Sequence, residues 1–415
     1  MALLVQKFGG SSLATVAHIN HASLLVAKAK QAGHDVVVIV SAMAGETDRL
    51  IGLATEMSES PEPREYSTLI ATGEQVAMAL MTMSLINRGI EAKSYTGAQA
   101  RILTDNQFKK ARIQSIDTKP ILADIKAGRV VVIAGFQGAD AEGNITTLGR
   151  GGSDTTAVAI AAALKADECQ IFTDVDGVYT TDPRVVKEAA RLDKVTFEEM
   201  LELASLGAKV LQIRAVEFAG KYKIPLRVLS TFDEGPGTLV TYNTDESMES
   251  PSVTGIAFSR NEGKIQLIGI PDGVDIVSRV LAGISEIGAN IDMIVQNTGP
   301  EVTLNVTFTV HHDEYADTLA QARKVGASLK AKEVTGVEGL AKLSLVGAGL
   351  KSHPNIAPIM FKTLAASGVN VQLIATSEIK LSVLIDSTQL DEGVRALHEV
   401  FRLDQVNEEV RKVVA

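Results

Sequence analysis

LVQKFGGSSL, residues 4–13, is a short apolar run that ends in a lysine, two glycines and two serines. The Gly9-Gly10 pair gives up side-chain packing and adds backbone entropy, so something should approach the main chain closely there. A strand that ends at Lys7 and opens through Gly-Gly-Ser-Ser into a helix directs free N–H groups and a positive dipole end at one point. The Lys7 ammonium adds a full charge, and the whole is a cradle for a phosphate. The lysine precedes the glycines, so the P-loop pattern GxxxxGK[ST] is absent. GxGxxG is absent too, which disfavours a dinucleotide Rossmann site. Taken alone, the stretch reads equally well as a tight structural turn.

Working outward, similar runs recur. LLVQKF (3–8), DVVVIVSA (35–42), RVVVIAGF (129–136), ECQIFTDV (168–175) and PLRVLS (225–230) are continuously apolar rather than alternating. Strands covered on both faces read this way, as in a parallel sheet. Helical stretches separate them: 16–33 closes at Gly33 and 71–89 at Gly89, both in the position of a C′ glycine. The alternation predicts an α/β layered domain with helices on both faces. The Gly-, Pro-, Ser- and acid-rich stretch 232–253 breaks the pattern and marks a domain linker. Beyond it lies an internal repeat. KIQLIGIPDG…VSRVLAGISEIGANIDMIVQN…VTLNVTFTV and AKLSLVGAGL…IAPIMFKTLAASGVNVQLIATS…IKLSVLID each read strand, loop, helix, turn, strand, hairpin, strand, with a further helix after.

Composition narrows the class. At 415 residues the chain has room for two to three domains, and 46% hydrophobic residues supply a substantial core. A net charge of −10, no Lys/Arg-rich block, and a lack of tryptophan give no support to nucleic-acid binding. Cys169 is the single cysteine and reads as a small buried hydrophobe, so neither a disulfide nor a cysteine zinc cluster is expected. The most apolar span, VAMALMTMSLI (76–86), is too short for a membrane helix. The start lacks a signal peptide's basic n-region, and the reading expects a cytoplasmic protein with no membrane partner.

Several further segments carry chemistry. GRGGSDTTA (149–157) repeats the glycine-to-helix arrangement with Arg150, Ser153 and Asp154; Arg150 offers a planar fork for a carboxylate or phosphate, and Asp154 alone reads as a cap. TDVDGVYTTDPR (173–184) follows a strand with a dense polar loop, which suits a ligand or a solvated Asp-Gly turn. Lys209 follows Gly207, where a surface lysine is the plain alternative. Glu74 in TGE offers an acceptor for an ammonium or a capping carboxylate.

Their order is more telling than any one of them. KFGGSS, VSAMAGETD, ATGEQVA, GRGGSDTTA, TDVDGVYTTDPR and GAKVL, followed by a duplicated module, resemble the aspartate kinases of the amino-acid kinase family over the whole chain. The resemblance implies an αβα sandwich with a mainly parallel central sheet, followed by two ferredoxin-like βαββαβ ACT domains. The boundaries expected are 1–240 catalytic, 241–262 linker, 263–338 first ACT and 339–415 second ACT. It implies transfer of the ATP γ-phosphoryl group to the β-carboxylate of L-aspartate, with Lys7, Asp154 and Lys209 catalytic. ATP would be held by Lys7, Gly9, Gly10, Ser11, Ser12, Thr173, Asp174, Tyr179, Arg184, Lys209 and Val210. Aspartate would be held by Ser41, Thr47, Glu74, Arg150 and Ser153. Mg²⁺ is implied with ATP, held largely by phosphates and water, so no protein ligand to a metal is assigned.

Lysine and threonine are implied as allosteric inhibitors at Asp275, Gln296, Asn297, Asn370, Val371, Ser377 and Glu378. Family ACT modules pair between chains, which implies a homo-oligomer. Met248 in SMESPSV is compatible with internal initiation of a shorter subunit and an α2β2 assembly. A catalytically weak amino-acid sensor of the same fold is the alternative, against which Lys7, Arg150, Asp154 and Lys209 all speak. GAKVLQIRA departs from relatives in Gln212-Ile213, where His-Pro is common; altered helix packing, with little effect on catalysis, is the expected consequence.

Overall fold

The computed structural model describes residues 1–205, 210–242, 253–299, 303–350 and 353–405, so Lys209 and Met248 lie outside the described residues. The chain divides into two compact units. The first comprises 1–179 and 191–248, and the second 180–190 and 249–415.

In the first unit the strands are β1 (Leu3–Phe8), β2 (Asp35–Val40), β3 (Ala92–Tyr95), β4 (Ile102–Thr104), β5 (Ile113–Ile116), β6 (Val130–Ala134), β7 (Gln137–Ala139), β8 (Ile145–Thr147), β9 (Glu168–Thr173), β10 (Lys194–Thr196), β11 (Leu226–Ser230) and β12 (Thr238–Thr241). The helices are α1 (Val16–Gln31), α2 (Glu46–Met57), α3 (Pro63–Ile70), α4 (Thr72–Asn87), α5 (Lys119–Lys126), α6 (Gly152–Leu164), α7 (Phe197–Ser205) and α8 (Ile213–Tyr222). Eight strands form one sheet in the order β10-β12-β11-β9-β1-β2-β6-β3, and β5-β4-β7-β8 form a second, smaller one. The pairings of β1 with β2 and β9, of β2 with β6, and of β9 with β11 are all parallel. β6 is buried at every residue and β2 at all but the first. Those strands take side chains from helices on both faces, which is why their sequences do not alternate.

β1 lies mid-sheet, with Lys7 opposite Ile39 on one side and Ile171 on the other. Beyond its polar first turns (Ser153 to Thr156) α6 is apolar all round, and it is buried through nearly its whole length against β1, β9 and α8, as such a helix must be. α3 and α4 together, Pro63–Asn87, reach the length and hydropathy of a membrane-spanning helix, contrary to the expectation that no span does. Over half of that window is buried, with Ala77, Met78, Met81 and Leu85 in the core that includes Val38 and Val132, so its apolar residues are accounted for as a core helix.

In the second unit β13 (Gly255–Pro271), β14 (Ile291–Gly299), β15 (Thr303–His311), β16 (Glu333–Val346), β17 (Leu373–Thr376) and β18 (Lys380–Asp386) form one antiparallel sheet, ordered β14-β15-β13-β16-β18-β17. Its helices are α9 (Ile276–Ser285), α10 (His312–Ser328), α11 (Ile356–Ala366) and α12 (Leu390–Val400). The repeat is real in three dimensions, but its copies are interleaved. Lys264–Ile268 pairs with Glu333–Val337, whereas Gly255–Ser259 pairs with Lys342–Val346. The order around the first copy is β14-β15-β13-β16, and around the second β17-β18-β16-β13, the same ferredoxin-like arrangement twice.

This corrects the expected linker. Gly255–Glu262 belongs to β13, and Ile256 and Ala257 are buried as the fourth strand of the second copy. Residues 180–190, placed by sequence within 1–240, belong to the second unit: Ile256 N–H donates to Thr180 O at 2.6 Å.

Candidate active site

The carboxyl ends of β1, β2 and β9 face the N-terminus of α6, where parallel α/β sheets place ligands. Gly9 N–H donates to Phe172 O at 3.2 Å, which ties the glycine turn to the end of β9. A Cβ at Gly9 would lie 3.5 Å from Lys7 Nζ, in van der Waals contact with the ammonium. Lys7 is only 9% exposed, and its Nζ sits 2.5 Å from Asp154 Oδ1 in the first turn of α6. This answers the question raised by the opening stretch: the lysine is held by a partner 147 positions along the chain, at a helix N-terminus.

A cleft of about 1050 Å³ opens over this pair. It brings together Lys7, Gly10, Ser41, Thr47, Glu74, Arg150, Ser153 and Asp154 from the predicted set. Glu74, in the first turn of α4, is 3% exposed; its Oε1 accepts the Ala42 N–H at 3.1 Å, and its Oε2 has no hydrogen-bond partner among the described residues. Burial pushes the Glu74 carboxyl up from 4.5 to about 7. Such a group is poised to accept from a cation entering the cleft.

Other predicted residues take different places. Ser12 is fully buried and its hydroxyl is engaged with Thr231 Oγ1 at 2.6 Å, so it anchors the glycine turn instead of offering its hydroxyl to phosphate. Gly9 and Ser11 do not line the cleft; they sit in the turn at its edge, Ser11 exposed. Thr173 Oγ1 donates to Asp174 Oδ1 at 2.9 Å, and the Tyr179 hydroxyl to Asp176 Oδ1 at 2.8 Å, in a separate polar cluster following β9. Arg184 belongs to the second unit and grips Asp182 at 2.7 Å; that guanidinium is committed to a local carboxylate. Val210 is half-buried just ahead of α8.

In the second unit Asp275 caps α9 without a side-chain hydrogen bond to the helix. Gln296 and Asn297 are exposed on edge strand β14. Asn370 and Val371 follow Gly368, a left-handed turn at φ +72°, and Asn370 N–H donates to Gln389 Oε1 at 3.2 Å. Ser377 N–H donates to Lys380 O at 2.7 Å, and Glu378 is exposed in the same turn.

Sequence reading missed part of the cleft lining: Tyr66, Lys109, Lys110, Arg112, Phe136, Gln212 and Arg214. KKAR (109–112) was a visible signal, three cations in four residues, too short to register as a basic block. Phe136 has φ +68°, a left-handed conformation that a phenylalanine adopts only where the surroundings impose it. Gln212 packs on the Arg150 loop: a Cβ on Gly151 would lie 2.1 Å from Gln212 Cγ, so the glutamine stem lies flat against it.

Comparison with known proteins places the chain in a family. The amino acid kinase family profile matches residues 2–230, and an ACT domain profile matches residues 343–401. A Pseudomonas aeruginosa aspartokinase is 58% identical over 405 residues, covering 97% of this chain and 98% of that protein. The structure of E. coli aspartokinase III with aspartate and ADP (R-state) superposes with a TM-score of 0.79 at 27% identity, over 96% of this chain and 99% of that one. The same enzyme with lysine and aspartate (T-state) gives a TM-score of 0.75 at 26% identity, over 96% of this chain and 99% of that one. The chain belongs to the amino acid kinase family, in its aspartokinase branch with C-terminal ACT domains.

Proposed function

We propose that the cleft transfers the γ-phosphoryl group of ATP to the β-carboxylate of L-aspartate, giving 4-phospho-L-aspartate and ADP. The observation that carries the acceptor assignment is a buried carboxylate, Glu74, with one oxygen free among the described residues, in the same cleft as Arg150, which makes no ion pair among them. An ammonium site and a carboxylate site in one cleft describe an amino acid. Ser41 and Thr47 supply hydroxyls along the same wall. The aspartate β-carboxylate is ionised at neutral pH and needs no general base. One of its oxygens attacks the γ-phosphorus, the bond to the β,γ-bridging oxygen breaks, and ADP departs with that electron pair.

Lys7 neutralises charge on the transferring group, and Asp154 holds Lys7 in place. The glycine turn, Gly9 to Ser11, and the polar loop Thr173 to Tyr179 flank the nucleotide, with Lys209 and Val210 completing its site. Mg²⁺ enters with ATP, carried largely by phosphates and water.

The ACT modules bind lysine and threonine as feedback inhibitors, at Asp275, Gln296 and Asn297 in one copy and Asn370, Val371, Ser377 and Glu378 in the other. The lysine-bound E. coli relative supports this for lysine. The exposed edge strands β14 and β17 supply surfaces for pairing in a homo-oligomer, and a shorter subunit begun at Met248 would make it α2β2. The enzyme works in the cytoplasm.

ADP release from Mg-ATP and L-aspartate, with and without lysine plus threonine, tests the whole reading. Aspartate-dependent turnover suppressed by the pair supports both units' assignments. Turnover without suppression removes the effector assignment alone, and folded protein without turnover replaces the enzyme with a sensor.

A further inference from the structure

The loop that carries Arg150 runs Leu148-Gly149-Arg150-Gly151 between β8 and α6; Leu148 at its start is buried, and Gly152 N–H donates back to Gly149 O at 2.9 Å. Gly149 (φ +80°) and Gly151 (φ +68°) are both left-handed, and Arg150 itself is exposed with no ion pair among the described residues. Main-chain bonds tie its approach to the neighbouring loop, with Ala111 N–H donating to Thr147 O at 2.9 Å, and a side-chain brace comes from α8. Arg214, half-buried in its first turn, donates from one guanidinium nitrogen to Leu148 O at 2.9 Å and from the other to Ala111 O at 3.1 Å. Ala111 lies between Lys110 and Arg112 in the other cationic loop of the cleft. The two loops also touch directly: a Cβ on Gly149 would lie 3.4 Å from Lys109 O and 3.7 Å from Lys110 Cγ.

Arg214 has no carboxylate within ion-pair distance among the described residues, although it lines the cleft. A half-buried guanidinium ordinarily recruits a carboxylate; this one spends its fork on two main-chain carbonyls. Burial and, after it, the neighbouring Arg112 charge pull its pKa below the usual arginine value, against the opposing pull of Asp105 and Glu217. Leu148 is held at both ends, since its N–H donates to Phe136 O at 2.9 Å while its carbonyl accepts from Arg214. Phe136, in its left-handed conformation, lines the same cleft.

We propose that Arg214 is a positioning residue for the acceptor substrate, fastening the Arg150 loop to the Lys110 loop so that both present their cations to one carboxylate-bearing ligand. The proposal rests on Arg150 as the acceptor clamp. Arg214 acts through Arg150 and touches no reacting atom. Its loss frees the loop to move by an ångström or so, a misplacement that costs on the order of 10²-fold in kcat/KM.

Steady-state kinetics of Arg214→Met, Arg150→Ala and the double variant, with KM measured separately for aspartate and ATP, test it. Arg214→Met should raise KM for aspartate by on the order of tenfold or more and leave KM for ATP in place. In the Arg150→Ala background it should add nothing further, because the clamp it positions is already gone. Arg214→Lys, which keeps the charge and one donor, should recover part of the loss. If Arg214→Met does not fold, Arg214→Lys and Gln212→Ala carry the test with smaller rises confined to aspartate. Parallel rises in both KM values, or losses that multiply in the double variant, overturn the proposal and leave Arg214 a structural brace. Should Arg150→Ala itself leave KM for aspartate unchanged, the clamp assignment fails first, and the two failures are thereby told apart.

Discussion

Lys7, Glu74, Ser153 and Asp154 in the cleft are all buried, and each is fixed by an element whose own packing is finished: a central strand or the first turn of a core helix. Gln296, Asn297, Asn370 and Glu378 in the second unit are all exposed: the first two on an edge strand, Asn370 just after the left-handed Gly368, and Glu378 in the turn between β17 and β18. Phosphoryl transfer gains its rate from charges held in position before the substrate arrives, so its residues belong in the interior. Effector sensing gains from contacts that form only on binding, because a ligand shifts an equilibrium only by its differential affinity for the two states. The contrast predicts that substitutions in the cleft change rates steeply, while those on the effector strands change responses and leave the chain folded.

The hardest blow to the first half of that contrast is Asp154→Ala. It strands the Lys7 ammonium at the cleft floor without its 2.5 Å partner. We expect kcat to fall by on the order of 10³-fold, with the change in KM for aspartate much smaller. A loss of less than tenfold, read in the ADP-release assay, would show that the pair is structural.

Glu74→Gln comes next. Its free Oε2 should receive the substrate ammonium, a charge-assisted bond whose loss raises KM for aspartate by roughly ten- to a hundredfold. The pH profile sharpens the point. The carboxyl stands at about 7, so below that pH it is protonated in the free enzyme, and aspartate binding should improve as pH rises to about 7 and then level off. The sign for stability is opposite: the folded apoprotein keeps a proton that the unfolded chain has released, so its stability falls as pH rises from 4.5 to about 7. Both trends should vanish in Glu74→Gln, and a variant that keeps the kinetic trend would remove Glu74 from the substrate site.

On the effector side, Glu378→Ala should raise the lysine concentration for half-inhibition by about tenfold, as expected from losing one charged contact to an ammonium. An unchanged inhibition curve would move the lysine site away from the 377–378 turn. Thermal unfolding of the same variant should match the parent, since Glu378 is exposed.

How much of this was legible follows from how local each signal is. β1 occupies Leu3–Phe8, the LLVQKF run itself, and α1 and α4 stop two residues short of Gly33 and Gly89, both at positive φ. Strand hydrophobicity and helix-ending glycines are written in neighbouring residues, so they can be read directly. The repeat was visible for the same reason. Its interleaving was not, because nothing in IAFS (256–259) says that it pairs with Lys342–Leu345 rather than connecting domains; that is decided by a partner over 80 residues away. The cleft divides likewise. Lys7, Glu74, Arg150 and Asp154 sit in recognisable glycine-to-helix patterns, whereas Arg214 reaches the site only through carbonyls of Leu148 and Ala111, and a main-chain acceptor has no sequence signature. Ser12 looked like a phosphate ligand because its competitor, Thr231, is 219 positions distant.

The smallest expected effect tests whether the second unit is uniformly soft, as the exposure of its proposed effector residues would have it. His398 on α12 is buried, and its Nε2 lies 3.1 Å from Thr180 Oγ1. Ala190 N–H donates to that same oxygen at 3.0 Å, so the threonine hydroxyl is free to donate to a neutral imidazole. Burial lowers the His398 pKa from 6.5, against the opposing pull of Asp404 and Glu188. The folded chain therefore resists a proton that the unfolded chain accepts, and stability is lost as pH falls below 6.5. In the parent protein this contributes a drop of about 2–4 °C in Tm for each kcal/mol of linkage. His398→Leu should flatten that part of the pH dependence between about pH 8 and about pH 5, while a curve parallel to the parent's would show that residues 180–190 are held without His398. A flattened curve means that the effector modules carry a firm core beneath adaptable edges, and that the contrast with the cleft lies in where the ligand-facing groups sit, not in how well each unit is packed.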